Sequence, residues 1–170
     1  MALSKTVAVT DKAAALRREG IEVTSLSVGE PDFLPADCVM KAAHSALDAG
    51  KVKYTENGGL HALRETICEY LASAKGLTYA PNQVICSNGA KQSLLQSMMA
   101  LCGPGDEVIV PAPYWVSYTQ IAGLCGAKSV IVRTRPEDGF VLRAADLESA
   151  ITPASRLLIL CNPSNPTGAV

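Results

Sequence analysis

The chain has 170 residues, enough for one compact domain; 48% of them are hydrophobic and 18% are charged. Its formal net charge of −1 provides no basic field that would attract nucleic acid or an anionic membrane surface. The sequence has no apolar run of about eighteen residues, which excludes a membrane-spanning helix.

The first part of the chain is predicted to be mainly helical. Apolar residues recur every three or four positions in three stretches, and each stretch ends at a glycine, a typical helix stop. The predicted helices cover residues 7–19, the stretch from Pro35 to Gly50, and the stretch from Leu60 to Gly76. One strand is predicted over residues 23–28.

After about residue 80 the pattern changes to short apolar strands that alternate with amphipathic helices. The predicted strands cover residues 84–86, 107–110, 129–132 and 156–160. The predicted helices between them cover residues 91–101, 115–124 and 144–151. This order is typical of an α/β fold with a mostly parallel sheet and helices on both faces, here preceded by an N-terminal helical segment.

The six cysteines are widely scattered, without a C-x-x-C pair, and most lie within apolar patterns. We expect reduced, buried thiols in a reducing compartment. His44 and His61 are the only histidines and neither has ligand spacing, so no metal site is expected.

The first residues indicate where the protein is expected to be found. They lack the apolar core of a secretory signal peptide and are too short for a transit peptide. We therefore expect a cytoplasmic protein, or a plastid protein if the chain comes from a plant or alga and lacks its leader.

Three loops follow predicted strands and carry unusual residues. Because the carboxyl ends of parallel strands share one edge of a sheet, these loops are expected to meet at one site. The first loop, residues 87–92 (SNGAKQ), leads into a helix whose free N–H groups suit a phosphate. Lys91 lies where the helix dipole disfavours a cation, which indicates a nearby anion. An ordinary turn with a solvated lysine is the alternative.

The other two loops follow the strands at residues 107–110 and 156–160. Trp115 follows two prolines and offers a ring for stacking; a core or interface anchor is the alternative. Asn165 offers an amide for a phenolate or carboxylate oxygen; a structural Asx turn before Pro166 is the alternative. The Asn165–Pro166 bond is a candidate for the cis form. Phosphate, ring and amide together fit pyridoxal 5′-phosphate.

At these residues the chain resembles the class I pyridoxal-phosphate aminotransferases of fold type I, in the aspartate aminotransferase group. Five motifs in family order carry the resemblance: residues 27–33 (SVGEPDF), 54–59 (YTENGG), 87–92 (SNGAKQ), 111–118 (PAPYWVSY) and 162–168 (NPSNPTG). The resemblance implies a small-domain segment over residues 1–40 and the first part of a truncated cofactor-binding large domain over residues 41–170.

The resemblance also implies the roles of single residues. The cofactor-binding residues would be Tyr54, Gly89, Ala90, Lys91, Trp115 and Asn165. The amides of residues 89–91 would hold the phosphate, the indole would stack on the pyridine ring, and Tyr54 would reach the phosphate of a neighbouring subunit in a homodimer. The substrate-binding residues would be Gly29, Trp115, Asn165, Thr6 and Lys91.

The resemblance implies transfer of an amino group from aspartate or glutamate to oxaloacetate, 2-oxoglutarate or prephenate. Thr6 and Lys91 match positions tied to prephenate use in the plant, algal and bacterial branch. The Schiff-base lysine has no counterpart in this chain, so no catalytic residue is assigned and the isolated chain is expected to be inactive, aggregation-prone and truncated.

Three alternatives remain open or disfavoured. A non-catalytic, shortened paralogue that pairs with a full-length subunit remains open. Other branches of the same fold, such as aminocyclopropane-carboxylate synthases, remain open as well. A nicotinamide oxidoreductase is disfavoured because the chain has no G-x-G-x-x-G fingerprint.

Overall fold

The computed structural model describes residues 5–26, 29 and 31–170. The chain forms two compact units, residues 1–54 and 55–170. Across the described ranges, no helix combines the length and apolar character needed to cross a bilayer. The assignment of residues 1–40 and 41–170 to small and large domains remains a prediction.

In its described residues the first unit contains two helices, α1 (Lys5–Arg18) and α2 (Asp37–Asp48). Gly20, with φ of 79°, follows α1, and Gly50, with φ of 65°, follows α2, so both predicted stops are confirmed. The strand predicted over residues 23–28 is wrong over its described part. Residues 23–26 are irregular and no described strand pairs with them, and residues 27 and 28 lie outside the described ranges.

The second unit contains four α-helices and three strands within its described residues. The helices are α3 (His61–Lys75), α4 (Ala90–Leu101), α5 (Ser117–Leu124) and α6 (Ala144–Ala150). The strands are β1 (Glu107–Ala112), β2 (Lys128–Arg133) and β3 (Ser155–Leu158). Each matches a predicted element with ends that differ by about two residues or fewer. The strand predicted over residues 84–86 is wrong, because this segment is extended but pairs with no described strand.

The three strands form a parallel sheet in the order β2–β1–β3. β1 pairs with β2 from Glu107 opposite Lys128 to Ala112 opposite Arg133, without a break in register. Its pairing with β3 shifts register once, between Glu107 and Val108. The predicted α/β fold with a parallel sheet is therefore confirmed.

The central strand carries the core of the second unit. Val108 and Val110 are completely buried, and Ile109 between them is buried as well. A strand buried on both faces is typical of the middle of a parallel sheet. Met98 of α4 and Ala122 of α5 belong to the same apolar cluster. Each fully buried valine contributes about 2 kcal/mol, so this cluster is a main support for the edge where β1 ends.

A polar network ties the strands together at the start of β1. Lys128 Nζ lies 2.8 Å from Glu107 Oε1, and the Thr152 hydroxyl donates to Glu107 Oε2 at 2.7 Å. The hydrogen bond from Lys128, and after it the one from Thr152, lowers the pKa of the Glu107 carboxyl. The network links β1, β2 and the segment before β3.

This network predicts an acid-sensitive contribution to stability. The pKa of Glu107 in the folded chain is below its ordinary value of 4.5, so its stabilising effect is complete above pH 4.5. The effect is lost as the pH falls through the lowered pKa. We expect Glu107→Gln to have a lower melting temperature than the unsubstituted chain at neutral pH, and we expect this difference in melting temperature to disappear in acid.

Thermal melts followed by circular dichroism across a pH series measure this difference. The matched control is Glu148→Gln, at an exposed position of α6. A difference for Glu107→Gln that stays constant into acid would contradict the assignment.

Candidate cofactor site

Two of the three predicted loops leave the same edge of the sheet. β1 ends at Ala112 and β3 ends at Leu158, and the two strands run parallel, so residues 113–116 and 159–168 begin at one edge. Thr134, just after β2, donates to the Ala112 carbonyl from its amide at 3.0 Å and from its hydroxyl at 2.7 Å. The exit of β2 is thereby held at this edge too.

The loop of residues 87–92 presents free amide donors. Gly89 caps α4 with φ of 82° and ψ of 161°, and a side chain built there meets no atom within 4 Å. The amides of Ala90 and Lys91 donate to no acceptor among the described residues, whereas those of Gln92 and Ser93 donate to the Gly89 carbonyl. The Gly89 amide donates to Ser87 O at 2.8 Å. Two unpartnered N–H groups at a helix N-terminus suit an anion.

Side chains of α4 fold back and hold this loop. Gln92 Oε1 accepts the amide of Asn88 at 2.6 Å, and the Ser87 hydroxyl donates to Gln96 Oε1 at 3.4 Å. Sequence reasoning included Gln92 in the motif but gave it no role. A glutamine in the third position of a helix often accepts a backbone amide that precedes the helix. The position of Gln92 in the sequence therefore could have predicted this hydrogen bond.

A second contact supports the loop from the preceding turn. The Gly58 carbonyl accepts the Cys86 amide at 2.9 Å, directly before Ser87. Gly59, with φ of 97°, leaves no room for a side chain, because a Cβ built there lies 2.6 Å from Cys86 Cβ. The turn that ends at Gly59 therefore lies directly against the segment that leads into the loop.

The structure brings Lys91 and Trp115 into contact. Lys91 Nζ lies 4.9 Å from the centroid of the indole, within the range of a cation–π interaction. The Tyr118 ring meets the indole edge-on, at 5.5 Å between centroids and 88° between planes. Stacking of a cofactor ring on Trp115 must therefore use the other face of the indole, or Lys91 must withdraw.

Tyr118 is a site residue that sequence reasoning missed. Burial, and then a hydrogen bond with Cys161, raises the pKa of its phenol to about 12. The phenol therefore stays neutral at physiological pH. It lies three positions after Trp115, and its amide donates to the Trp115 carbonyl at 3.0 Å, but the contact with Cys161 depends on the fold.

Asn165 lines a cavity of about 260 Å³ at the same edge. Tyr114, Tyr118 and Cys161 are among the other residues around this cavity. The terminal loop is held by the Ser164 amide, which donates to Ala169 O at 2.8 Å. The amide side chain of Asn165 has no hydrogen-bond partner among the described residues. The Asx turn is thus not formed. The Asn165–Pro166 bond is cis, as are the Asn162–Pro163 and Ala112–Pro113 bonds.

The other predicted site residues belong to the first unit. The backbone of Thr6 lies in α1, and its side chain is outside the described part. Gly29 is exposed, and Tyr54 is fully exposed, with a relative accessibility of 106%. The roles of these three residues remain predictions.

The structure brings Lys91 and Trp115 together, whereas the cavity that Asn165 lines is bounded by neither of them. The chemistry of these residues fits a phosphorylated aromatic group, because the Ala90 and Lys91 amides are unpartnered donors, Trp115 offers a ring and Asn165 offers an amide donor. The fold is an α/β fold with a parallel sheet, a class that binds ligands in the crevice at the carboxyl ends of its strands.

Comparison with known proteins identifies the family. The family model "Aminotransferase class I and II" matches residues 21–170, so the chain belongs to this family. The aspartate/prephenate aminotransferase of Cereibacter sphaeroides is 47% identical over 98% of the chain, which covers 42% of that protein. The bifunctional aspartate aminotransferase and glutamate/aspartate-prephenate aminotransferase of Petunia hybrida is 50% identical over 98% of the chain.

Solved structures agree with the family assignment. The aspartate aminotransferase of Thermus thermophilus with maleate superposes with a TM-score of 0.96 and is 44% identical over the whole chain. The chain covers 44% of that structure and 35% of the petunia protein. The chain therefore spans less than half the length of these relatives and corresponds to part of the fold type I large domain.

The Gly59 contact predicts a large effect of one methyl group. Gly59→Ala combines a left-handed backbone with a clash against Cys86, and we expect a loss of more than about 2 kcal/mol of stability. Gly76→Ala is the matched control, because its φ is 66° but no atom lies within 4 Å of the new side chain. We expect about 1 kcal/mol there. Chemical denaturation measures both, and equal losses would contradict the packing argument.

Proposed function

We propose that this chain takes part in transamination with pyridoxal 5′-phosphate as cofactor. The observation that carries the proposal is the edge where Lys91 meets Trp115 and where the amides of Ala90 and Lys91 have no partner. When bound, the cofactor supplies an electron sink for charge that develops on the substrate. The family assignment supports this class of reaction.

We assign the cofactor contacts to the residues at this edge. The amides of Ala90 and Lys91 hold the phosphate at the positive end of α4. The indole of Trp115 stacks on the pyridine ring, and the amide of Asn165 donates to the ring's phenolic oxygen. The Gly89 amide donates to the Ser87 carbonyl in this structure. It can donate to the phosphate only if this hydrogen bond breaks.

The proposed donors are aspartate or glutamate, and the proposed acceptors are oxaloacetate, 2-oxoglutarate or prephenate. The names of the petunia and Cereibacter relatives support this choice. Gly29 contacts the substrate carboxylate through its backbone in this proposal, together with Trp115 and Asn165. Thr6 and Lys91 serve the use of prephenate.

We further propose that the protein acts as a homodimer. The support is the exposed phenol of Tyr54, which is available to reach a phosphate in a neighbouring subunit. The same exposure favours the second candidate function, a non-catalytic chain that pairs with a full-length aminotransferase subunit. In both cases the 170 residues alone supply no Schiff-base lysine, so we propose that they are inactive alone.

The first test deletes one amide from the proposed phosphate site. Ala90 is the first residue of α4, a position where proline is well tolerated, and Ala90→Pro removes an N–H group without breaking the helix. We expect about tenfold weaker binding of pyridoxal 5′-phosphate, measured by quenching of the single tryptophan, Trp115. Ala144→Pro, at the first position of α6, is the matched control. Unchanged binding in Ala90→Pro would contradict the site.

The second test measures amino transfer by the protein purified from its own cells. With aspartate and 2-oxoglutarate we expect glutamate to form, and with prephenate as acceptor we expect the corresponding amino acid. The recombinant 170-residue chain alone is expected to form neither. Product formation by that chain alone would contradict the proposed inactivity, and no transfer by the native protein would contradict the proposed reaction.

A further inference from the structure

Arg64 of α3 ties together segments that are distant in the sequence. Its Nε donates to the Gly59 carbonyl at 3.1 Å, and its Nη1 donates to the Pro81 carbonyl at 3.2 Å. Its Nη2 also pairs with the Glu56 carboxylate. Only 15% of the Arg64 side chain is exposed, whereas Glu56 is largely exposed. The rigid planar guanidinium thus fixes the turn of residues 56–59 against the segment that begins at Pro81.

This turn contacts the segment that leads into the loop of residues 87–92, which we call the phosphate loop because the proposed function places the phosphate there. The Gly58 carbonyl accepts the Cys86 amide at 2.9 Å, and Gly59 lies against the Cys86 side chain. One residue later the loop of Ser87, Asn88 and Gly89 begins. Arg64 therefore supports the loop from one side, and Gln92 supports it from the other through the Asn88 amide.

We propose that Arg64 is a positioning residue for the phosphate loop. It sets the place of Cys86, and through it the free amides of Ala90 and Lys91, by holding the turn of residues 56–59. The inference rests on the proposed function, because it concerns the phosphate site of that proposal. Arg64 has no hydrogen bond to residues 87–92 in the described structure, so its effect on a phosphate passes through this turn.

Geometry, rather than positive charge, is the expected contribution of Arg64. A lysine keeps the charge but presents a point ammonium, which cannot bond two carbonyls in a fixed fork. Arg64→Lys and Arg64→Gln are therefore expected to behave alike. If attraction between charges were the cause, Arg64→Lys would bind phosphate normally.

The test compares two ligands that differ in one group, pyridoxal 5′-phosphate and pyridoxal. Quenching of Trp115 fluorescence gives both dissociation constants in the purified protein, and thermal melts report its folding. We expect both Arg64 variants to bind pyridoxal 5′-phosphate about tenfold more weakly, with pyridoxal binding within about twofold of normal. Arg156→Gln is the matched control, because it removes another arginine bond to a carbonyl, that of Leu101.

Each other outcome overturns the inference. Equal weakening of both ligands would make Arg64 a general stabilising residue, and normal binding by Arg64→Lys alone would assign the effect to charge. Normal binding by both variants would leave Arg64 without a role at the loop. If the unsubstituted protein binds neither ligand, the proposed function fails and this inference fails with it. If Arg64→Gln does not fold, Glu56→Gln supplies a second variant, because it removes the ion pair but keeps the Arg64 bonds to the Gly59 and Pro81 carbonyls. We expect Glu56→Gln to bind pyridoxal 5′-phosphate normally. A loss of binding equal to that of Arg64→Lys would show that the two carbonyl bonds do not position the loop.

Discussion

The site depends on the parallel pairing of β1 with both of its neighbours. Because β1 lies between β2 and β3 and all three strands run in one direction, the loops that follow them emerge at one edge. The pairing is maintained by burial of β1 on both faces, with Val108 and Val110 fully enclosed. The network around Glu107 adds a polar connection at the opposite end of the strand.

The loop of residues 87–92 is positioned by a neighbouring turn and by one side chain of α4 rather than by the sheet. The segment before it pairs with no described strand, and its place is set by Gly58, Gly59 and Gln92. The contact between Lys91 and Trp115 then joins this loop to the one that follows β1. This contact also accounts for a lysine in the first turn of a helix, since the indole offers its ammonium a favourable neighbour where the helix dipole does not.

Sequence patterns correctly predicted the helices and strands whose own residues show helical or strand periodicity. Amphipathic spacing and terminal glycines gave correct helices, and the apolar runs at 107–110, 129–132 and 156–160 gave correct strands. The strands predicted over residues 23–28 and 84–86 were wrong where described, because an apolar or β-branched run becomes a strand only when a neighbour pairs with its backbone. Tyr118 and Arg64 were missed because their partners lie 43 and up to 17 positions away.

The sequence by itself determined the family, the order of the elements and the glycine and proline positions, since these follow from local backbone preferences and from five motifs in order. Only the tertiary structure decided that Lys91 lies over Trp115, that the Asn165 side chain has no partner among the described residues, and that Arg64 joins the turn of residues 56–59 to Pro81. The Lys91–Trp115 contact and the Arg64–Pro81 hydrogen bond join residues that are 24 and 17 positions apart in the chain. Their formation depends on which strands pair and which helices pack, and local preference does not encode either.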